Sequence, residues 1–434
     1  MRMNDSARHY VRGQSREVWL LTSELEGERA SSHRQFRWCR FLIDSGLSIE
    51  AFTLKGAIRV SHRTLRTHAD LDRLRDDIRR GAKPAASVRE GIAVRAVRQV
   101  KHMLLVDLWL PNVLALFVRL LFRMPAAAGR VIIVSSSPPF SVVVIGALLR
   151  SIRPSRFVFA VDMRDAWAHH RALGGFRPLR TWIERSSLSR ADACVTVSNQ
   201  LADEFRAYGR PVEVAYNVAT HVTQSDKEST GFDWTSLNPS LNPASAKLVY
   251  TGSMPEGHFD LETIIGGIRH AVATDSLRRE RNQIVFVGAC DSLRRLVQGS
   301  ELDGTVVFVP HQTSRVARLI QANADALLFL GYNAEGNGGV VSTKLFEYLS
   351  LGRPILPIMV RAGSDLDTLL GRYGGQRIQA IGPLAVGELL GAWASGAARL
   401  PQCRDPRIMD DLLQPYRDFC DGLAGDKPTK AARA

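Results

Sequence analysis

One lysine and one glutamate, Lys344 and Glu347, stand three positions apart in a segment suited to holding an anion. The segment runs Gly338-Gly339-Val340-Val341-Ser342-Thr343-Lys344-Leu345-Phe346-Glu347-Tyr348-Leu349-Ser350-Leu351-Gly352-Arg353-Pro354-Ile355-Leu356. A glycine pair opens onto a short loop, an amphipathic helix carries both charges, and a Gly-Arg-Pro turn feeds an apolar strand. The first amides of a helix have no partner inside it, so a helix start behind flexible backbone attracts phosphate. A carboxylate one turn further on can accept hydrogen bonds from sugar hydroxyls. Together these read as a seat for a sugar nucleotide, with diphosphate at the helix start and ribose on Glu347. The same spacing also suits an ordinary surface helix, and short motifs of this kind do match by chance.

A second candidate is Asp162-Met163-Arg164-Asp165, which follows the apolar run Phe157-Val158-Phe159-Ala160-Val161. Acidic residues at the carboxyl end of a parallel strand lie where α/β sheets bind ligands, although either aspartate could equally cap a strand end or a helix start. No compact acid cluster suits a magnesium ion. Asp365-Leu366-Asp367 and Asp70-Leu71-Asp72 read as helix surfaces, so no metal and no resident cofactor are expected.

These residues need a scaffold, and 434 residues are too many for one core, which points to two domains of roughly 200 residues each. A hydrophobic content of 45% with 23% charged residues is that of a soluble globular chain. The five cysteines, Cys39, Cys194, Cys290, Cys403 and Cys420, are scattered and odd in number, which argues against a disulfide framework or a zinc site and for a reducing compartment. No apolar signal segment follows the polar first 17 residues. The longest apolar stretch, residues 103–118, is interrupted by Asp107 and Pro111 and falls short of the roughly 20 residues that span a bilayer. A cytoplasmic protein is expected.

The net charge of +14 is unevenly placed. Through Asn217 there are 35 Lys and Arg against 20 Asp and Glu; beyond it there are 22 against 23. A basic first half attracts polyanions: nucleic acid, anionic lipid headgroups or a phosphorylated acceptor. Aromatic residues are only 7% and no stacking platform or recognition helix is apparent, so nucleic acid is not expected. The arginine-rich stretch from Arg63 to Lys101 is the expected site for lipid headgroups; the region around Trp109-Leu110-Pro111 is expected to be buried against a sheet instead.

Strand and helix alternate along the first half. A strand at Val18-Trp19-Leu20-Leu21-Thr22, a helix over 33–44 stopped by Gly46, and a strand over 48–54 make a βαβ opening. Residues 64–101 read as helical with no strand. A helix kinked or broken at Pro111 is expected over 103–122, a helix over 179–189, and strands at 131–134, 157–161, 193–197 and 212–215. Residues 218–246 are rich in Ser, Thr, Asn, Asp and Pro and read as a linker or variable loop. A second alternation follows, with strands at 247–250, 284–287, 306–309, 326–330 and 355–358 and a helix over 261–274. A last amphipathic helix is expected over 408–423, and a frayed tail after it. The domains are therefore expected at 1–217 (basic, acceptor) and 247–405 (sugar-nucleotide binding), with 218–246 between them and a helix and tail over 406–434.

From Val18 to about Leu356 the chain resembles the family-4-like retaining glycosyltransferases of the GT-B fold. The resemblance rests on Ser135-Ser136-Ser137-Pro138-Pro139-Phe140-Ser141, Val161-Asp162-Met163-Arg164-Asp165-Ala166-Trp167, Ser189-Arg190-Ala191-Asp192-Ala193-Cys194-Val195-Thr196-Val197-Ser198, Tyr250-Thr251-Gly252-Ser253-Met254 and Lys344 to Leu356, in that order. It implies two facing Rossmann-like domains, a C-terminal helix returning toward the first, and an active site between them. The donor nucleotide would sit on the second half and the acceptor on the first. Carried over, Glu347 matches the glutamate that binds the donor's ribose, and Gly338, Gly339 and Val340 the loop whose backbone meets the sugar and diphosphate. Gly252 and Ser253 match the turn beneath the phosphates. Gly288 and His311 lie on loops expected to border the base. Arg164-Asp165 stands where many relatives have a His-Asp pair near the reacting centre.

Two positions depart from the family's pattern. Gly339 replaces an acidic residue often found eight positions before the ribose glutamate, and Glu335 is out of register with it. After the Gly-Ser turn, Pro255-Glu256-Gly257-His258 offers only a histidine where the family tends to place a basic pair. Diphosphate charge would then fall to Lys344, Arg164 and helix amides. His258 and His311 suit loop filler as well as ligand contact.

The expected function is transfer of a sugar from a nucleotide-sugar donor, hexosyl or N-acetylhexosaminyl, to a lipid-linked or membrane-associated acceptor. The anomeric configuration would be retained, in bacterial cell-surface polysaccharide or glycolipid assembly at the inner face of the plasma membrane. A sugar-nucleotide epimerase of the same fold, or a nonenzymatic membrane- or nucleic-acid-binding protein, is the alternative.

Overall fold

A computed structural model describes residues 17–22, 30–55, 59–81, 110–123, 130–168, 176–218, 232–332, 341–405 and 407–425. The chain divides into two compact units, Met1–Asn217 with Leu412–Ala434, and Val218–Asp411.

The first unit is built on β1 (Glu17–Thr22), α1 (Ala30–Asp44), β2 (Ser48–Lys55), β3 (Arg59–Leu65), α2 (His68–Gly81), α3 (Leu110–Phe122), β4 (Val131–Ser137), α4 (Ser141–Ile152), β5 (Phe157–Met163), α5 (Arg177–Leu188), β6 (Ala193–Thr196), α6 (Asn199–Arg206) and β7 (Val212–Val214). Its seven strands lie in the order β3-β2-β1-β4-β5-β6-β7. All neighbours are parallel except β2 and β3. Strands covered by helices on both faces need side chains that are apolar on both, and every residue of β1 and β4 is buried. In register, Trp19 lies beside Ile133, and Ile133 beside Phe159. Together they centre a core that takes in the inner face of α3 (Val113, Leu116, Leu120) and most of α4.

The helix His68–Gly81 agrees with the helical reading of residues 64–101, and β3, which overlaps that stretch only at Thr64 and Leu65, is a strand the sequence pattern did not announce. Its sequence, RVSHRTL, lacks an apolar run, yet it pairs antiparallel with β2 from Ile49–Leu65 to Lys55–Arg59. An edge strand is paired on one side only and tolerates polar and cationic residues. Most of the arginine-rich stretch after Gly81, and the expected apolar helix before Leu110, lie outside the described residues. In the described part, Leu110–Phe122, Pro111 sits in the first turn of α3, where a missing N–H costs nothing.

The second unit comprises β8 (Ala246–Thr251), α7 (Leu261–Ala273), β9 (Asn282–Val287), α8 (Asp291–Val297), β10 (Val306–Val309), α9 (Ser314–Ala322), β11 (Ala326–Leu330), α10 (Thr343–Leu351), β12 (Ile355–Ile358), α11 (Asp365–Gly374) and α12 (Pro383–Ala394). Its sheet, β10-β9-β8-β11-β12, is parallel throughout. Part of the stretch read as a linker packs on this sheet: Trp234 and Leu241 are buried, the Asn238 amide donates to the Phe308 carbonyl, and Gln283 accepts from the Asn242 amide. α7 and α12 pack so closely that a Cβ on Gly267 would lie 2.4 Å from Val386. Asp367, expected on a helix surface, is buried: it accepts from the Gly363 amide and pairs with Arg377.

The last helix, α13 (Ile408–Ala424), joins the first unit from Leu412 onward. Its Tyr416 is fully buried against Trp38 of α1, with ring centroids 4.6 Å apart.

Candidate functional site

In the second unit the chain fills the sheet in one direction, β8 to β9 to β10, and then restarts on the other side with β11 and β12. The strand order therefore reverses between β8 and β11, and open α/β sheets bind ligands beyond the carboxyl ends of strands at such a point. β8 delivers Thr251-Gly252-Ser253 there. Gly252 donates its amide to the Val287 carbonyl at 2.8 Å, extending the ladder one residue past the strand. Its φ of 142° is rare for a residue with a side chain, and a Cβ would sit 3.2 Å from Cε of Lys344. Gly288, at the end of β9, is tighter: a Cβ would lie 2.3 Å from the Gly252 carbonyl oxygen. Backbone thus replaces side chain where β8 and β9 end.

α10 begins beside this edge. Ser342 caps it, its hydroxyl accepting the Lys344 amide at 3.3 Å, and Gly352 ends it in the left-handed conformation at φ 69°. One face buries Leu345, Phe346, Tyr348 and Leu349. Lys344 and Glu347 face the other way and meet as an i,i+3 pair, Nζ to Oε2 at 3.2 Å, with side chains 28% and 24% exposed. The same carboxylate oxygen accepts a hydrogen bond from Gln321 Nε2 at 3.2 Å. That amide nitrogen also donates to Thr251 Oγ1 at 2.6 Å, and the Thr251 amide donates to the Tyr348 hydroxyl at 3.2 Å. Burial pushes the Tyr348 phenol up, so it stays neutral and can accept.

The strand end, the buried glutamine and the buried tyrosine therefore fix Glu347 in place. Its second oxygen takes no hydrogen bond from the described residues, and its partial exposure leaves room for a ligand. A carboxylate held on one oxygen and open on the other suits vicinal hydroxyls. A lysine beside a glycine turn at a helix start suits phosphate.

Gln321 is a residue that sequence reasoning missed. It lies 26 positions before Glu347 on a helix that the apolar pattern did not announce, and only the fold brings it to Glu347.

Ser253 follows the turn, its carbonyl accepting the Tyr250 hydroxyl at 3.0 Å. His258 is exposed in the next turn, its Nδ1 3.1 Å from the Glu256 carbonyl and its ring 6.4 Å from that of Tyr332 at the end of β11. His311 is exposed just past β10. Gly252, Ser253, Gly288, His258, His311, Lys344 and Glu347 thus all lie at or just past the strands' carboxyl ends or on α10. Gly338, Gly339 and Val340 lie outside the described residues. Among the described residues no group of three or more His, Cys, Asp or Glu is arranged to hold a metal ion.

In the first unit, Arg164 and Asp165 follow the carboxyl end of β5. Arg164 spans to the neighbouring strand end, donating to the carbonyls of Ser137 at 2.8 Å and Pro138 at 3.0 Å. The guanidinium therefore ties two strand ends together. Asp165 is half-buried. Asp162 is a different kind of residue. Fully buried, it accepts from Arg34 Nη2 at 2.6 Å, Trp38 Nε1 at 2.9 Å and Ser136 Oγ at 2.8 Å. Burial alone would raise its carboxyl, but the Arg34 charge and hydrogen bonds outweigh that and hold it below the usual carboxylate range. Arg34 also donates to the Ala215 carbonyl at 2.7 Å and meets the Tyr416 hydroxyl. Asp162 is a buried structural anion, neither a strand cap nor a surface group.

Two Rossmann-like units, each with a strand-order reversal in a largely parallel sheet, are the architecture of the GT-B fold. Solved structures share the architecture. The α,α-trehalose 6-phosphate synthase of Burkholderia multivorans is 10% identical, with 97% of each chain covered and a TM-score of 0.55. The UDP-forming synthase of Burkholderia vietnamiensis is also 10% identical, over 96% of this chain and 98% of that one, with a TM-score of 0.51. At these identities the likeness concerns the fold. Residues 33–217 match the glycosyl transferase 4-like domain, which together with the shared architecture supports a family-4-like glycosyltransferase. No curated protein matches the sequence.

Proposed function

We propose that the second unit binds a nucleotide-sugar donor through Glu347, Lys344 and the Gly252 turn, and that the enzyme passes the sugar to a lipid-linked or membrane-associated acceptor with retention at the anomeric carbon. The observation that carries this is the convergence of Lys344, Glu347, Gln321 and Thr251 at the strand-order reversal. The ribose hydroxyls bond to Glu347. The diphosphate lies against Lys344 and the first amides of α10, which also stabilise the charge left on it when the sugar departs. Gly338, Gly339 and Val340 are the proposed sugar-side loop, and Ser253, Gly288, His258 and His311 border the nucleotide. The reading assigns no step to a metal.

On the first unit, Asp165 is the proposed acceptor-side residue, sharing with the departing phosphate the task of taking the acceptor's proton. Arg164 is committed to the Ser137 and Pro138 carbonyls, so its proposed part is to position that strand end. The excess of cationic residues through Asn217 supports an anionic acceptor or membrane surface, and so a place at the inner face of the plasma membrane in cell-surface glycan assembly.

Calorimetry with UDP-, GDP- and dTDP-sugars tests the donor reading, and at least one should bind to the full-length protein. Chromatography of the sugar nucleotide after incubation without acceptor tests the epimerase alternative. Epimer formation there would overturn the transferase reading.

A further inference from the structure

Large apolar side chains left in water are informative when they gather, and in the first unit they gather on three neighbouring helices. α4 packs against both α3 and α5. While α3 turns Val113, Leu116 and Leu120 into the core, Leu114, Val118 and Phe122 (71% exposed) run along its outer face at i, i+4 and i+8. On α4, Leu148 and Ile152 are exposed four residues apart. On α5, Leu179 and Trp182 (65% exposed) follow the exposed Phe176 just before the helix. Cationic side chains sit beside them: Arg119, Arg177 and Arg185 are exposed on the same helices. The one acidic residue on the three helices, Glu184, is buried and accepts the Ala168 amide. The described residues of these three helices therefore carry no exposed carboxylate, and the neighbouring Asp192 is neutralised by Arg150 of α4 at 2.8 Å. No helix among the described residues is long and apolar enough to cross a membrane.

We infer that the outer face of α3, α4 and α5 is a docking surface for an anionic lipid bilayer. The aromatic and aliphatic side chains enter the headgroup region, and the arginines pair with lipid phosphates at its border. Charge complementarity selects this occupant. Helices with no exposed carboxylate of their own that carry cations on the same elements as exposed Trp and Phe suit an anionic interface, and the neighbouring Asp192 is already paired with Arg150. The inference rests on the membrane-acceptor reading above and assigns it a face, on elements other than the arginine-rich stretch favoured from sequence.

Co-sedimentation of the full chain with phosphatidylcholine vesicles, with and without phosphatidylglycerol, tests it. Binding is expected with phosphatidylglycerol and should weaken with salt. Trp182→Ser and Phe122→Ser should each lower the partition coefficient by about tenfold, since each removes a large apolar side chain from the interface. Leu384→Ser, at an exposed apolar position on the second unit, should leave it unchanged. All three positions are exposed, so thermal melts should not move. Absence of vesicle binding, or binding indifferent to Trp182→Ser and Phe122→Ser, overturns the inference. So does a dimer in light scattering that Trp182→Ser converts to monomer, because a second copy would then cover the face. Nucleoside-diphosphate binding by the same preparations is read separately. Donor affinity without vesicle binding sinks this surface alone, and vesicle binding without donor affinity sinks the transferase reading alone.

Discussion

Replacing Glu347 with alanine separates ligand binding from folding, because the geometry assigns the two very different energies. Among the described residues the only charged partner of the Glu347 side chain is Lys344, in a pair about a quarter exposed on both sides. Such pairs contribute no more than about 1 kcal/mol. The bond from Gln321 contributes about as much, and Gln321 keeps its shorter bond to Thr251 when Glu347 is lost. Thermal stability should therefore move little. Ligand binding should move far more, since a hydrogen bond to a charged group is worth about 1.5–3 kcal/mol, or about tenfold to 150-fold in affinity for each ribose hydroxyl released. Titration calorimetry with a nucleoside diphosphate and with the matching nucleoside resolves the contributions. Glu347→Ala should weaken both ligands, Lys344→Met only the diphosphate, and Gln321→Ala both, but by about fivefold, since it only orients the carboxylate. If Glu347→Ala binds the nucleoside diphosphate as tightly as wild type, the donor site has been misassigned.

Three further outcomes are expected. Asp165→Asn should lower turnover by more than tenfold while leaving donor affinity within about twofold; a fully active variant would remove Asp165 from the chemistry. Arg34→Met should destabilise the fold by about 3–5 kcal/mol near neutral pH, because it strands the buried Asp162 charge. The sign with pH follows from the depressed Asp162 carboxyl. Its contribution is complete above the unfolded value of about 3.9 and is lost as pH falls through the lower folded value, so the gap between wild type and Arg34→Met in urea melts should narrow in acid. Finally, all five cysteines are buried, and burial lifts the Cys39 and Cys290 thiols to about 12, so native protein should resist a thiol reagent that denatured protein consumes.

The sheets were legible where helices cover both faces, since such strands must be continuous apolar runs: Val131 to Val134, Phe157 to Val161 and Ala326 to Leu330 announce themselves. β3 did not, because an edge strand can be written in Arg, His, Ser and Thr. Lys344 and Glu347 were legible because one helix carries both. Gln321 was not, because a single amide on a short amphipathic helix has no local mark of its role. Asp162 and Asp165 look alike in sequence, yet one is clasped by an arginine from α1 and the other is not. Burial, set by packing far along the chain, separates them. Asp367 misled for the same reason: the Gly363 amide and Arg377 draw it inside a helix that reads as solvated.

Tyr416 has a consequence for how the chain is made. The Arg34 and Asp162 cluster in the first unit meets a hydroxyl from the last helix, and the tyrosine also donates to the Tyr216 carbonyl at 2.7 Å. A unit whose strands precede the second unit in the chain is thus finished by a helix that follows it, after the whole second unit has been synthesised. Domains generally fold as units during synthesis, so here the order of completion is reversed: Val218–Asp411 can close while the first unit still lacks Leu412–Ala434. An isolated fragment ending at Asn217 would leave Trp38 without its two aromatic neighbours, Tyr416 and Phe419. Splitting this protein into working halves therefore requires grafting the terminal helix back onto the first.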